Sequence, residues 1–212
     1  MIRTYLKKRY HQNRNMIDYK IYSLSDILEN FSDNEKEKSL NKYFMKFSCH
    51  LEKELEIFLV KHAIEYERIE YGKTFLFLNS KEFTKGIIDI IAFFTIGQKS
   101  LDISELSSKK KKKVIGNSIP GRENLTSIPG FLIGEIGRSG KYSHDDLPGS
   151  IILQESYKQI KRARKVVGGN LIFLECRKKM FDLFYKKQNF KKISNDSSCG
   201  EDDLIMLYKK IG

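Results

Sequence analysis

The sequence predicts an α/β fold in which helices pack on one mixed sheet. Two observations predict it. Apolar runs of strand length alternate with 3.6-residue periodicities in the order β-α-α-β-β-β-α-β-α-β along 212 residues. Residues 131–190 are the clearest part: a strand, a polar turn, a long helix, a second strand and a second helix. At this length one domain buries a sizeable core, and residues 16–212 are read as that domain.

Residues 1–15 hold five basic side chains and no acid, which predicts a disordered cationic arm ahead of Met16, itself readable as an initiator. Residues 17–24 alternate as strand β1, and Ser25 or Asp26 caps a short helix through Phe31. Residues 32–39, SDNEKEKS, read as a polar connection. Leu51, Leu55, Phe58, Leu59, Ala63 and Tyr66 mark one amphipathic helix over residues 50–67. KTFLFLN (73–79) and GIIDIIAFFTIG (86–97) are strands β2 and β3, joined as a hairpin. Residues 98–128 lack a core period and read as a lysine-rich insertion. Its block SSKKKKK (107–113) reads as a solvated loop or frayed helix end, with phosphate contact as the functional alternative.

Strand β4 opens at Phe131 with FLIGEIGR, and a polar loop follows to Pro148. Ile152, Leu153, Ser156, Ile160, Ala163 and Val167 then recur at helical spacing from Gly149-Ser150, and Gly168-Gly169 supplies the stop. LIFLEC (171–176) is strand β5, and Met180, Phe181, Phe184 and Tyr185 recur at helical spacing beyond it. After the turn-rich SNDSSCGEDD (194–203), residues 203–211 read as a last strand.

The formal charge of +12 and pI of about 9.4 favour an anionic partner, nucleic acid first. Cys49, Cys176 and Cys199 have no metal-ligand spacing and read as reduced thiols of a cytoplasmic protein, without a disulfide framework or metal site. No apolar run is long enough for a membrane span. The loop feeding the helix at Gly149 is a candidate anion site, because the first helical N–H groups lack intrahelical partners and the dipole favours negative charge there.

Three stretches together resemble the GNAT superfamily of N-acetyltransferases, over residues 17–211. FSCHLEKELEIFLVKHAIEYER with KTFLFLN is similar to the opening of its toxin-like branch. GIIDIIAFFTIG, a basic insertion and FLIGEIGR resemble its β3–β4 region. VVGGNLIFLECRKKMFDLFYKKQNF resembles its β5 and following helix, with Asn189 where Gly is usual. Asn is the next-best residue at a left-handed helix stop. The resemblance implies a GNAT-like mixed central sheet, splayed between β4 and β5, with helices on both faces.

It further implies acetyl-CoA as cofactor. The pantetheine arm would pair with the β4 edge at Glu135, Ile136, Gly137 and Arg138, with an oxyanion-stabilising amide at Ile136. The pyrophosphate would sit on the loop amides of residues 144–150: His144, Asp145, Asp146, Leu147, Gly149 and Ser150 among them. That loop departs from the family pattern: two glycines and a basic residue are missing, and Asp145-Asp146 bring negative charge. Tyr185 matches the tyrosine that protonates the leaving thiolate. Glu135 and Glu175 are the candidate bases, each also readable as a structural partner of Arg138 or Arg177. The implied activity is acetylation of the α-amine of aminoacyl-tRNA by a toxin that blocks translation. Its expected partners are tRNA, an antitoxin protein and a second copy of the chain as a homodimer. Two other readings stand beside it: acetylation of a small-molecule or protein amine, and a GNAT-shaped pseudo-enzyme that binds nucleic acid or protein. The basic runs 109–113, 158–165 and 186–192 are expected on one face beside the acceptor cleft.

Overall fold

The computed structural model describes residues 16–29, 34–116, 119–193 and 200–211. The cationic arm at 1–15, residues 30–33 after the first helix, and residues 194–199 of the turn-rich link with Cys199 lie outside them. In chain order the elements are β1 (Tyr19–Ser23), α1 (Leu24–Glu29), α2 (Asn34–Phe44), α3 (Lys53–Lys61), α4 (Ala63–Arg68), β2 (Lys73–Asn79) and α5 (Ser80–Phe83). There follow β3 (Ile90–Asp102), α6 (Ser108–Ile115), β4 (Ser127–Arg138), α7 (Gly149–Val167) and β5 (Leu171–Arg177). Last come α8 (Lys178–Met180), continued as a π-helical turn over Phe181–Tyr185, then β6 (Lys191–Lys192) and β7 (Leu204–Lys210). The strands form one mixed sheet in the order β1-β2-β3-β4-β5-β7-β6. Among the described residues, β4 and β5 form the one parallel pair.

Successive strand residues point to opposite faces, and this divides the helices. On one face Phe94, Ile133, Ile172 and Leu174 pack under α7 through Ile152, Leu153 and Ile160. On the other, Leu76, Leu78 and Phe93 pack under α1–α4 through Leu24, Phe44, Leu59 and Ala63. Farther along that second face, Leu101, Leu171 and Phe173 receive Val114 and Ile115 of α6. Helices therefore cover both faces, as expected.

Several local expectations change. The first helix is capped one turn early, where the Ser23 hydroxyl accepts from the Asp26 N–H at 3.0 Å. The polar connection at 32–39 belongs largely to α2, which is anchored by buried Leu40 and Phe44. The single helix expected over 50–67 is two helices that meet at His62, and Leu51 stands in solvent ahead of them. Strand pairing runs to Asp102 and resumes at Ser127, so the insertion shrinks to residues 103–126. Its lysine block is a capped helix rather than a loop. The Ser107 hydroxyl accepts from the Lys110 N–H, and buried Lys111 turns inward to donate to the carbonyls of Glu123 (3.2 Å) and Leu125 (2.7 Å).

Helix α4 ends in a Schellman stop. The Tyr71 N–H donates to the Tyr66 carbonyl at 2.9 Å, and the Glu70 N–H to the Glu67 carbonyl at 3.3 Å. The pivot is Glu70, at φ 56, a left-handed conformation that costs a residue with a Cβ. Replacing Glu70 with Gly should raise the unfolding free energy by roughly 0.5–1 kcal/mol. Urea denaturation checks this, and a loss of stability would contradict it.

Candidate active site

Strand β4 departs from regular pairing where the site begins. Phe94 of β3 faces Ile136 but Ile96 faces Ile133, so β4 spends three steps where β3 spends two. This bulge falls at Gly134-Glu135, bends the strand and disrupts the ladder. Pairing of β4 with β5 is confined to Phe131↔Ile172 and Leu132↔Phe173. Strand β5 meanwhile stays paired with β7 along Leu171–Arg177. From Gly134 to Arg138 the β5-facing side of β4 therefore carries backbone groups with no strand beside them, among the described residues. This is the expected splay. Unpaired backbone donors and acceptors at such an edge suit an extended ligand.

Side chains hold the two arms apart. Arg177, at the end of β5, makes a bidentate ion pair with Glu52 at the start of α3, at 2.7 and 2.9 Å. Leu55 of α3 lies so close to β4 that a Cβ on Gly137 would stand 2.5 Å from its Cδ1. Any larger residue there would have to displace the Leu55 side chain.

Glu135 is half-buried in the bulge, and its carboxyl is pushed up to about 7, first by burial and then by the charges of Glu54 and Glu52. Among the described residues no cation pairs with it. Glu175 behaves differently. It is exposed and pairs with Lys99 at 3.4 Å across β4, not with Arg177. Arg138 pairs with neither glutamate. Its guanidinium donates to the carbonyls of Tyr142 (3.0 Å) and Leu147 (2.7 Å), so it shapes the following loop and leaves only its backbone to the β4 edge. Ile136 keeps its side chain on the α7 face.

The loop of residues 139–148 is held by side chains where glycines were expected. Tyr142 is buried, hydrogen-bonds Asp89 and Asn79, and fixes the loop against β2 and β3. Asp146 turns its carboxylate onto the Ser143 N–H and hydroxyl, both at 2.7 Å. His144 and Asp145 remain exposed. The expected row of amides over 144–150 is shorter than the sequence suggested. The N–H groups of Asp146 and Leu147 are spent on Ser143, Pro148 has none, and Leu147 is a core side chain. Gly149 and Ser150 open α7, a helix of 19 residues with no side-chain cap and no acid in its first turn. Their N–H groups precede the first intrahelical hydrogen bonds of α7.

Tyr185 lies on the α7 face in one cluster with Ile133, Cys176 and Leu174. It is 7% exposed, and burial holds its phenol above the ordinary value. A second Schellman stop positions it. The Phe190 N–H donates to the Tyr185 carbonyl and the Asn189 N–H to the Lys186 carbonyl, both at 3.1 Å, with Asn189 at φ 64 as the sequence anticipated. Its ring packs against Phe190 at 5.6 Å.

On the opposite face a cleft of about 200 Å³ opens over the bulge. Glu135 and Gly134 lie at its base, Phe58, Tyr66 and Tyr71 form one wall, and Lys99 and Glu175 form the other. Sequence reading assigned none of these aromatics to a site, because Phe58 and Tyr66 fit the helical period of the core. The bulge thus has two sides, the Tyr185 side and the cleft side. No group of residues suited to a metal ion occurs among the described residues.

The sequence matches no protein-family model and no curated protein. Solved structures do match. AtaT complexed with acetyl-methionyl-tRNAfMet is 19% identical, with 91% of this chain and 95% of that chain covered at a TM-score of 0.62. A Tyr-to-Phe mutant of KacT is 16% identical, with 79% and 86% covered at 0.62. A mutant AtaT toxin bound to the C-terminus of the antitoxin AtaR and acetyl-CoA is 14% identical, with 91% and 93% covered at 0.60. These likenesses establish that the chain shares the fold of AtaT and KacT.

The site makes a prediction that needs no assay of turnover. In a carboxyl-carbon NMR titration Glu135 should titrate at about 7, and Glu52→Gln with Glu54→Gln should lower that value. Titration in the ordinary carboxylate range would contradict the environment described.

Proposed function

We propose that this protein is a cytoplasmic acetyl-CoA-dependent N-acetyltransferase of the toxin type, which acetylates the α-amine of aminoacyl-tRNA and is held in check by an antitoxin. The observation that carries the reading is the opened β4 edge, with Glu135 on one side of it and Tyr185 on the other. The likeness to AtaT complexed with acetyl-methionyl-tRNAfMet and to AtaT with antitoxin and acetyl-CoA supports it.

The residues present fit the cofactor. The free edge over Gly134–Arg138 would hold the pantetheine arm, and the N–H groups of Gly149, Ser150, His144 and Asp145 the pyrophosphate. Acetyl-CoA supplies the activated acetyl group. Glu135, with its carboxyl near 7, is poised to take the proton from the acceptor ammonium at cytosolic pH. A β4 amide, proposed at Ile136, offers a hydrogen bond to the oxygen on which charge develops. Tyr185 is neutral throughout the physiological range and holds a proton at its hydroxyl for the departing sulfur.

Because Glu135 acts as the carboxylate, the rate should rise as pH passes through about 7. The charge distribution differs from that expected. Helix α6, with exposed Lys109, Lys112 and Lys113, packs on the cleft face and α7 on the opposite one, while Lys191 and Lys192, opposite Tyr208 and Leu207, point to different faces at the sheet edge. The three basic runs therefore do not share one face. This division is the one observation that favours a small or protein amine as acceptor, and salt-dependent turnover separates the two readings.

Tyr185→Phe should lower kcat by about 10²–10⁴-fold and leave acetyl-CoA affinity nearly unchanged in calorimetry. Undiminished turnover would remove Tyr185 from the chemistry. Neutralising Lys109, Lys112 and Lys113, with Lys111 kept for its structural role, should weaken aminoacyl-tRNA binding. It should also flatten the salt dependence by about two to three charges, with turnover of an amino-acid amide preserved. Equal loss on both substrates would point to damage to the fold, and undiminished binding of aminoacyl-tRNA would favour the small-amine reading.

A further inference from the structure

The cleft on the α3–α4 face is a built site. Its aromatic wall follows from the Schellman stop of α4, which brings Tyr71 back over Tyr66 with ring centroids 5.1 Å apart at 79°. Phe58 meets Tyr66 edge-on at 5.4 Å. The wall is seated tightly on the sheet. A Cβ on Gly97 would come within 3.0 Å of the Tyr71 carbonyl, and one on Gly72 within 3.0 Å of the Thr95 methyl, so glycine at both positions lets the Tyr71–Gly72 lip lie against β3. At the base, a Cβ on Gly134 would meet nothing within 4 Å and would project into open space.

The charges of the cleft are already allotted. Glu175 is paired with Lys99, which leaves no spare carboxylate at that wall for a cationic side chain. Glu135 lies at the bulge, beside the edge where the reacting amine must come. What remains is aromatic surface at right angles, suited to the edge and face of an inserted ring.

Resting on the acetyltransferase reading, we infer that this cleft receives the side chain of the acceptor and selects bulky apolar aminoacyl groups, aromatic ones foremost. Phe58, Tyr66 and Tyr71 set the preference, and the neutralised Lys99–Glu175 wall withholds any advantage from charged side chains. Glycyl and alanyl acceptors fill too little of the cleft to displace its water.

The test is a panel of amino-acid amides, which removes RNA from the comparison. With acetyl-CoA, kcat/KM for phenylalaninamide should exceed that for glycinamide by roughly ten-fold or more, with lysinamide and the glutamate amide below leucinamide. Tyr71→Ala, at an exposed lip, should reduce the phenylalaninamide-to-glycinamide ratio several-fold. Saturation-transfer NMR without cofactor supplies a readout independent of turnover: phenylalaninamide should show contact that Tyr71→Ala weakens. Glycinamide turned over as well as phenylalaninamide, or both reduced alike by Tyr71→Ala, overturns the selectivity. Tyr71-dependent binding without transfer to any amide would leave the pocket standing and remove the acetyltransferase reading. Neither binding nor transfer overturns the inference.

Discussion

The parting of β4 from β5 after Leu132 and Phe173 is the constraint on which the rest of the site depends. A sheet ordinarily satisfies its backbone groups by continuing the ladder. Here the bulge at Gly134-Glu135 turns β4 away, while β7 holds β5 straight to Arg177. The Arg177–Glu52 pair then fastens the far end of β5 to α3, which itself lies against Gly137. The gap is therefore supported from both arms. It leaves a backbone edge open in the middle of the sheet, where both faces give access to one stretch of chain.

Two helix stops of the same kind furnish the two sides of that gap. Each closes with a left-handed residue that is not glycine, Glu70 or Asn189, and each leaves an aromatic pair, Tyr66–Tyr71 or Tyr185–Phe190. The first pair walls the cleft and the second orients a buried phenol. Because main-chain hydrogen bonds fix both pairs, these aromatic rings are positioned by backbone rather than by loops free to move. The loop before α7 follows another logic. Arg138, Tyr142 and Asp146 hold its shape through carbonyls, Asp89 and Ser143.

Much of the fold was legible because it is written in local pattern. The period of α7, the glycine stop at residues 168–169, the apolar run of β5 and the left-handed Asn189 all appear where the sequence places them. Helix α6 was illegible for a physical reason: five lysines imply solvent, yet Lys111 is buried because its ammonium reaches two distant carbonyls. Helix α2 was hidden in the same way, its polar opening masking the anchors Leu40 and Phe44. Tyr185 and Glu135 are candidates from motif and strand position, the first buried beside Cys176 and the second in the bulge. The cleft was not legible in this way, since Phe58, Tyr66 and Tyr71 line it together with Lys99 and Glu175, far along the chain.

Hydrogen exchange with and without acetyl-CoA reports on the backbone edge of the gap itself. Acetyl-CoA bound along the gap should slow exchange together at residues 134–138 and at Gly149-Ser150, with the β5–β7 ladder unchanged. Protection absent from residues 134–138, or confined to sites remote from the gap, would show that the open edge of β4 is not where the cofactor binds.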